Sequence, residues 1–254
     1  MKGVFLGTGT SQGIPVILCK CPVCRSIDFR DKRTRTSFYI EVNGVHLVID
    51  TGPDFRQQML RERVPKIDAI LFTHEHKDHV AGLDDVRAFN FAHKMDMPLY
   101  AEKRVLKQLE TEFFYAFAKI KYPGTPQLVQ HEVQENEPFE VNGVEIEPIR
   151  LMHHKLPIFG YKIKEFAYLT DVNYISKEEK QKLKNLDILI ITSLRKEKHL
   201  SHFTLAEALE VIAELKPKKA YLTHISHLLG THREVEKELP ENVFLAYDGL
   251  EIKN

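Results

Sequence analysis

The sequence predicts an α/β protein built from two sheets with helices on their outer faces. Two observations predict it. Asn-Gly pairs stand at Asn43-Gly44 and Asn142-Gly143, each between short apolar runs, and a strand–helix alternation recurs in both halves of the chain. A third observation is that no Gly/Ser/Pro-rich linker interrupts the 254 residues. Both sheets are therefore expected in one domain spanning 1–254, a length within reach of one large α/β unit.

The elements follow in order. Gly3–Gly7 is short and apolar and runs into the turn-rich loop Gly7-Thr8-Gly9-Thr10. Ser37–Val42 and Val45–Asp50 flank the first Asn-Gly pair, whose residues both tolerate the positive φ of a two-residue hairpin turn. Asp68–Thr73 reads as a buried strand, followed by a helix near Leu83–Ala92, a short strand at Leu99–Ala101 and a helix over Lys103–Lys119. Phe139–Val141 and Val144–Ile149 flank the second Asn-Gly pair. Tyr161–Ile163 and Phe166–Thr170 are strands, and Lys177–Lys184 is a helix with Ser176 as N-cap and Glu179 placed for a reciprocal capping box. Asp187–Thr192 is a strand, and Thr204–Leu215 is an amphipathic helix stopped by Pro217. Lys219–Thr223 (strand), Thr231–Leu239 (helix), Phe244–Ala246 and Leu250–Ile252 complete the pattern.

Composition narrows the class. Lys plus Arg equals Asp plus Glu at 36 each, so the chain exerts no global pull on nucleic acid. No apolar run approaches the roughly 20 residues that span a bilayer, so no membrane association is expected. Met1–Gly7 lacks the long apolar stretch and cleavage site of a signal peptide, and a cytoplasmic location is expected. The three cysteines, Cys19, Cys21 and Cys24, lie within six positions. An odd, clustered set argues for metal ligands or redox groups over a disulfide framework.

The run His74-Glu75-His76-Lys77-Asp78-His79 follows the apolar stretch Ala69–Phe72. Histidines at i and i+2 converge on extended or looped backbone, whereas a helix uses i and i+4. The run reads as one wall of a two-metal hydrolytic site, with His74 and His76 toward one metal and Asp78 and His79 toward a second. Further ligand candidates each sit at the end of an apolar run: His153 after Ile149–Met152, Asp171 after Tyr168–Thr170, and His224 after Tyr221–Thr223. Strand ends are where functional groups gather in α/β architectures. His154, adjacent to His153, is the competing choice for that ligand, and the local pattern favours His153.

Cys19-x-Cys21-x-x-Cys24 supplies three thiolates in a Pro-containing loop at about 17–26. Tetrahedral zinc needs a fourth ligand, and His227, three residues after His224, is the candidate. A closed four-ligand site is structural, and zinc capture of this kind is worth roughly 10–16 kcal/mol of apparent binding energy.

The His74-x-His76-x-Asp78-His79 run with isolated His153, Asp171 and His224 resembles the metallo-β-lactamase superfamily. The resemblance spans nearly the whole chain. It implies a four-layer αββα sandwich with two divalent metals (zinc, manganese or iron) at one edge of the sheets. It implies His74, His76 and His153 on the first metal, Asp78, His79 and His224 on the second, and Asp171 bridging. Asp50, in Ile49-Asp50-Thr51-Gly52, matches an acidic family motif and would orient a ligand without binding metal. Together with Thr223-His224-Ile225-Ser226-His227, Phe5–Pro15 and Leu156–Tyr161, the cysteine loop looks like the PhnP-type phosphoribosyl 1,2-cyclic phosphate phosphodiesterases.

That resemblance implies a structural zinc, a homodimer, and hydrolysis of a small cyclic phosphodiester of a phosphorylated sugar. The expected reaction takes 5-phosphoribosyl 1,2-cyclic phosphate to ribose 1,5-bisphosphate. A tRNA 3′-processing-type nuclease, or another hydrolase of the same fold, is the alternative. Neutral charge and the lack of a basic Gly-Pro-rich arm argue against nucleic acid. A cyclic phosphodiester also needs a proton at its leaving oxygen. His202, in Leu200-Ser201-His202-Phe203, fits that role, with Asp78 as the other residue expected at the chemistry. The basic run Arg195, Lys196 and Lys198 reads as a solvated face, the aromatics Phe113, Phe114, Tyr115 and Phe117 as core or contact surface, and Gly7 and Gly9 as turn glycines. Asp248 matches a C-terminal family signature without an evident role.

Overall fold

The computed structural model describes residues 1–253; the expected domain boundary at Asn254 lies outside them. The first half of the chain builds most of one sheet from β1 (Lys2–Gly7), β2 (Ser37–Val42), β3 (Val45–Ile49), β4 (Ala69–Leu71), β5 (Met97–Ala101) and β6 (Leu128–Glu132). The second half builds the other from β7 (Phe139–Val141), β8 (Val144–His153), β9 (Leu156–Ile163), β10 (Phe166–Leu169), β11 (Tyr174–Ile175), β12 (Ile188–Thr192), β13 (Lys219–Thr223) and β14 (Val243–Leu245). The last strand, β15 (Glu251–Lys253), returns to the first sheet, whose order is β15-β1-β2-β3-β4-β5-β6. The second sheet runs β11-β8-β9-β10-β12-β13-β14, with β7 paired to β8.

Side-chain alternation along these strands sets the layers, because successive residues face opposite sides of a sheet. Phe5, Phe38 and Ile40 meet Tyr168, Ile188 and Ile190 in a core between the sheets. Their neighbours Val4, Leu6 and Tyr39 turn outward onto Phe55, Met59, Val105 and Leu109. On the other flank Ala167, Leu189 and Ile191 turn outward onto Leu205, Ala208 and Ile212. Three apolar layers between four layers of structure give the αββα sandwich.

The outer helices are α1 (Pro22–Arg25), α2 (Phe55–Glu62), α3 (Lys77–Val80), α4 (Arg87–His93), α5 (Lys103–Glu112), α6 (Phe114–Phe117), α7 (Lys177–Lys182), α8 (Leu205–Leu215) and α9 (His232–Glu236). Both Asn-Gly turns take the left-handed backbone expected of them, with φ of 52° and 77° at Asn43 and Gly44 and 48° and 83° at Asn142 and Gly143.

Several local expectations change. The helix expected over Lys103–Lys119 breaks at Phe113 (φ −111°, ψ 36°), where the buried aromatic ends α5 and precedes the short α6. Ser176 caps α7 through the Glu179 N–H, but the Glu179 carboxylate does not close the box; it accepts from the Arg150 N–H at 2.9 Å and from Lys182. Reciprocal boxes form instead at Thr204 and Glu207, at the start of α8, and at Thr231 and Glu234, at the start of α9. The strand expected at Val144–Ile149 continues to His153, and β8 pairs with β9 from Glu147 to His153. No helix among the described residues is long and apolar enough to cross a membrane.

Candidate metal centre

Parallel strands carry the site. β3 and β4 are parallel, as are β10, β12 and β13, and β8 shares the direction of β10 through the antiparallel β9. Their C-terminal ends therefore open on one edge of the molecule. Asp50 follows β3, His74 follows the β4 segment, His153 ends β8, Asp171 follows β10 and His224 follows β13. Asp50, Asp171 and His224 all take left-handed backbone, with φ of 64°, 57° and 55°. Non-glycine residues rarely sit there, and such strain concentrates at functional sites.

Two clusters result. The ligating atoms of His74, His76 and His153 lie within 4.8 Å of one another, as do those of Asp78, His79, Asp171 and His224. His74 Nε2 is 3.0 Å from His76 Nδ1. Asp171 Oδ2 is 3.1 Å from both His79 Nε2 and His224 Nδ1, so this carboxylate stands between two imidazoles. Asp78 Oδ2 is 3.3 Å from His79 Nε2.

Behind this front the opposite ring nitrogens are held by the protein. His79 Nδ1 donates to Asp50 Oδ2 at 2.7 Å. The Thr73 hydroxyl donates to the same carboxylate at 2.8 Å and accepts from His74 Nδ1 at 3.0 Å. His153 Nδ1 donates to the Ser201 carbonyl at 2.9 Å, and His224 Nε2 meets the Thr10 hydroxyl at 3.0 Å. Each such bond fixes a ring and leaves its other nitrogen facing the centre. His79 Nε2 and His224 Nδ1 are buried there without a hydrogen-bond partner among the described residues. Buried polar atoms are normally paired. Unpaired nitrogens beside two carboxylates fit a divalent cation.

The electrostatics agree. Burial alone would discharge His79, but Asp171, Asp78 and Asp50 outweigh it and push the imidazole well above its ordinary range. Burial alone would raise Asp171, yet His224 and His79 hold it well below the carboxylate range. A positive charge is therefore stabilised between these groups. His74, by contrast, is pushed well below the imidazole range by burial, which keeps its nitrogen free to bind metal.

His202 lies beside both clusters, buried, with its ring centroid 4.6 Å from that of His153 and 4.9 Å from that of His224. Its Nδ1 is 3.8 Å from Asp171 Oδ1. Burial, with His224 close by, lowers it to about 2. His154 turns away: it is exposed in the β8–β9 turn and its backbone N–H donates to Asn173 Oδ1 at 2.7 Å. The basic run also stays apart, with Arg195 bonding the Glu197 and Lys198 carbonyls of its own loop and Lys196 paired to Glu238. Phe113, Tyr115 and Phe117 pack in the outer core and Phe114 is exposed.

A third cluster lies in the cysteine loop. Cys19, Cys21, Cys24 and His227 place their ligating atoms within 4.8 Å of one another. Cys19 and Cys21 Sγ are each 3.4 Å from His227 Nδ1. Cys21 also caps α1, accepting the Cys24 N–H at 3.4 Å. Burial opposes ionisation of Cys21, but the Cys24 N–H and His227 outweigh it and bring the thiol to about 6.

A family model for the β-lactamase superfamily domain matches residues 46–225, the stretch that holds both His/Asp clusters. The chain belongs to the metallo-β-lactamase superfamily. A solved structure described as a new diphosphatase from the PhnP family shares 40% identity and a TM-score of 0.93, covering 100% of this chain and 97% of that one. A Porphyromonas gingivalis protein named octanoyltransferase is 45% identical over 99% of this chain, which spans about half, 51%, of that relative's length. The Streptococcus pneumoniae exodeoxyribonuclease WalJ is 28% identical over 75% of this chain and 77% of its own. The chain thus has the metallo-β-lactamase fold, and the fold implies divalent metals.

Thr10, Thr73 and Ser201 hold these imidazoles from behind, a role that no sequence motif marks. Thr73 alone had a local signal, standing directly before the histidine run.

Proposed function

We propose that this superfamily member is a dinuclear phosphodiesterase that opens small cyclic phosphates, 5-phosphoribosyl 1,2-cyclic phosphate to ribose 1,5-bisphosphate being the expected reaction. The observation that carries the reading is the combination of seven converging dimetal ligands with the separate Cys19-Cys21-Cys24-His227 cluster. The likeness to a PhnP-family diphosphatase supports attack at phosphorus.

His74, His76 and His153 would hold one metal, Asp78, His79 and His224 the other, and Asp171 would lie between them. When bound, such a pair generates a nucleophile from water at neutral pH and neutralises developing phosphoryl charge. The chain's own residues supply the rest. Asp50 orients His79 directly and His74 through the Thr73 hydroxyl. His202 would hand a proton to the leaving oxygen, and its ring stacks against His224. A cavity of about 490 Å³, lined by His76, His153, Lys155, Leu156 and Leu200, opens beside the first cluster. That volume suits a small substrate, and Lys155 is its cationic lining residue. A structural zinc on the cysteine cluster would fix the loop at about 17–26.

A second reading, hydrolysis of a phosphoanhydride, is favoured by the description of the similar PhnP-family structure as a diphosphatase. The test is a Mn²⁺- or Zn²⁺-supplemented assay on 5-phosphoribosyl 1,2-cyclic phosphate, a nucleoside diphosphate and a tRNA precursor in parallel. Release of ribose 1,5-bisphosphate from the cyclic ester is expected. Turnover of the diphosphate alone would replace the first reading with the second, and trimming of the tRNA alone would restore the nuclease alternative. Within the first reading, His202→Ala is expected to lower kcat by roughly 10²–10⁴-fold with metal content unchanged. Full turnover in that variant would remove His202 from the chemistry.

A further inference from the structure

Asp248 takes no part in the chemistry above, yet its carboxylate ties together two separate segments. Oδ1 accepts from the Thr8 N–H at 2.9 Å and the Thr8 hydroxyl at 2.8 Å. Oδ2 accepts from the Thr34 N–H at 2.8 Å and the Thr34 hydroxyl at 2.6 Å. The side chain is only 6% exposed, with Arg61 as its cationic neighbour. The buried Arg33 braces the same point, donating to the Thr8 hydroxyl at 2.8 Å and to the Ala246 carbonyl.

Residues 8–10 form a strap between the sheets. On one side the Gly9 N–H donates to Thr34 O at 2.8 Å, and Gly9 O accepts from the Thr36 N–H and hydroxyl. A Cβ on Gly9 would stand 2.9 Å from Arg33 O, so a glycine is needed for this approach. On the other side the Ile225 N–H donates to Thr8 O at 2.8 Å and the Thr10 N–H donates to Ile225 O at 3.0 Å. The strap ends with the Thr10 hydroxyl 3.0 Å from His224 Nε2.

A metal-binding imidazole needs its second nitrogen engaged to fix its tautomer and ring plane. Asp50 does this for His79 and the Ser201 carbonyl for His153. For His224, held in left-handed backbone at φ 55°, the hydroxyl of Thr10 is the group in place. We propose that Thr10 and Asp248 are positioning residues of the metal centre: Asp248 anchors the strap, and the Thr10 hydroxyl accepts the Nε2–H of His224 and so turns Nδ1 toward Asp171. The inference rests on the reading of His224 as a metal ligand.

The test is a calorimetric Mn²⁺ titration of the full chain after mild chelation, with thermal melting as the fold control. Thr10→Val, close to isosteric, is expected to weaken Mn²⁺ binding roughly 10–100-fold with an unchanged melt. Thr10→Ser is expected to restore wild-type affinity, which a purely structural role for the threonine methyl would not allow. Asp248→Asn, which cannot accept on both arms, is expected to weaken Mn²⁺ binding in the same direction. If it loses its cooperative melt, Thr8→Val, which removes one hydroxyl from the carboxylate, takes its place. Wild-type affinity in Thr10→Val would overturn the role of Thr10, and wild-type affinity in a folded Asp248→Asn or Thr8→Val would overturn that of Asp248. A wild-type chain that binds no Mn²⁺ at all would overturn the metal-centre reading itself.

Discussion

The two clusters share a backbone segment and differ in almost everything else. Residues 224 to 227 supply His224 to one and His227 to the other. The His/Asp site stands at the ends of buried strands, and hydrogen bonds to Asp50, Thr73, Ser201 and Thr10 fix its rings from behind. The cysteine cluster sits on a loop whose Ile17 and Leu18 are 88% and 93% exposed. Its anchorage is Val23 and Cys24 packed into the outer core, and backbone N–H bonds to sulfur. The rings of the first site are held by the protein's own hydrogen bonds. The second would be organised chiefly by the metal it captures. A catalytic site must hold its geometry through turnover, while a structural site needs only to close.

The sharpest way to break this contrast is at Asp171. Asp171→Asn keeps the shape, removes the charge between His79 and His224, and leaves the cysteine cluster intact. Loss of activity on the order of 10⁴-fold is expected, together with loss of active-site metal and retention of the cysteine-bound metal by elemental analysis. Near-normal turnover would mean the carboxylate is not between two metals. Cys21→Ser is the complementary change. It removes a thiolate ligand while leaving a hydroxyl that can still cap α1. One metal equivalent per chain should be lost, and limited proteolysis should cut within residues 17–26. Activity should fall less than about tenfold, because the strand ends and their supporting bonds do not depend on the loop. A loss as large as that of Asp171→Asn would show that the shared segment transmits disorder from one site to the other.

The side chains that converge at the strand ends were legible because their signals are local. His74, His76, Asp78 and His79 fall in six residues, and His153, Asp171 and His224 each end an apolar run. The αββα class was legible from hairpins and alternation. What stayed hidden depends on contacts between distant segments. Thr10 meets His224 across 214 residues, and no property of a Gly-Thr-Gly-Thr turn announces that. Helix α2 was missed because only Phe55, Gln58 and Met59 face inward, too short an apolar stripe to give a period. Strand β6 was missed because it is an edge strand with a single buried residue, Leu128. The full reach of the β8–β9 hairpin was masked by Pro148, Pro157 and Gly160, residues that ordinarily weaken a strand assignment. The unclosed box at Glu179 has a similar cause: the Arg150 N–H, 29 positions away, competes for its carboxylate.

The smallest expected effect tests the most local ambiguity. His153 and His154 are adjacent, and only geometry separates them. His153 Nδ1 is held by Ser201 and its ring packs against His74, His76 and His202. His154 occupies left-handed backbone at φ 58° in an exposed turn. Alanine there would confound a missing ligand with backbone strain, whereas asparagine tolerates that conformation. The backbone bond from His154 to Asn173 survives the change. His154→Asn is therefore expected to leave metal content unchanged and activity within about twofold, a shift confined to KM because His154 lines the cavity. His153→Asn should lose metal from the first cluster. The opposite pair of results would move the ligand to His154, which its position allows only if the turn refolds on metal binding, and would end the claim that the protein's own hydrogen bonds hold the rings of this site.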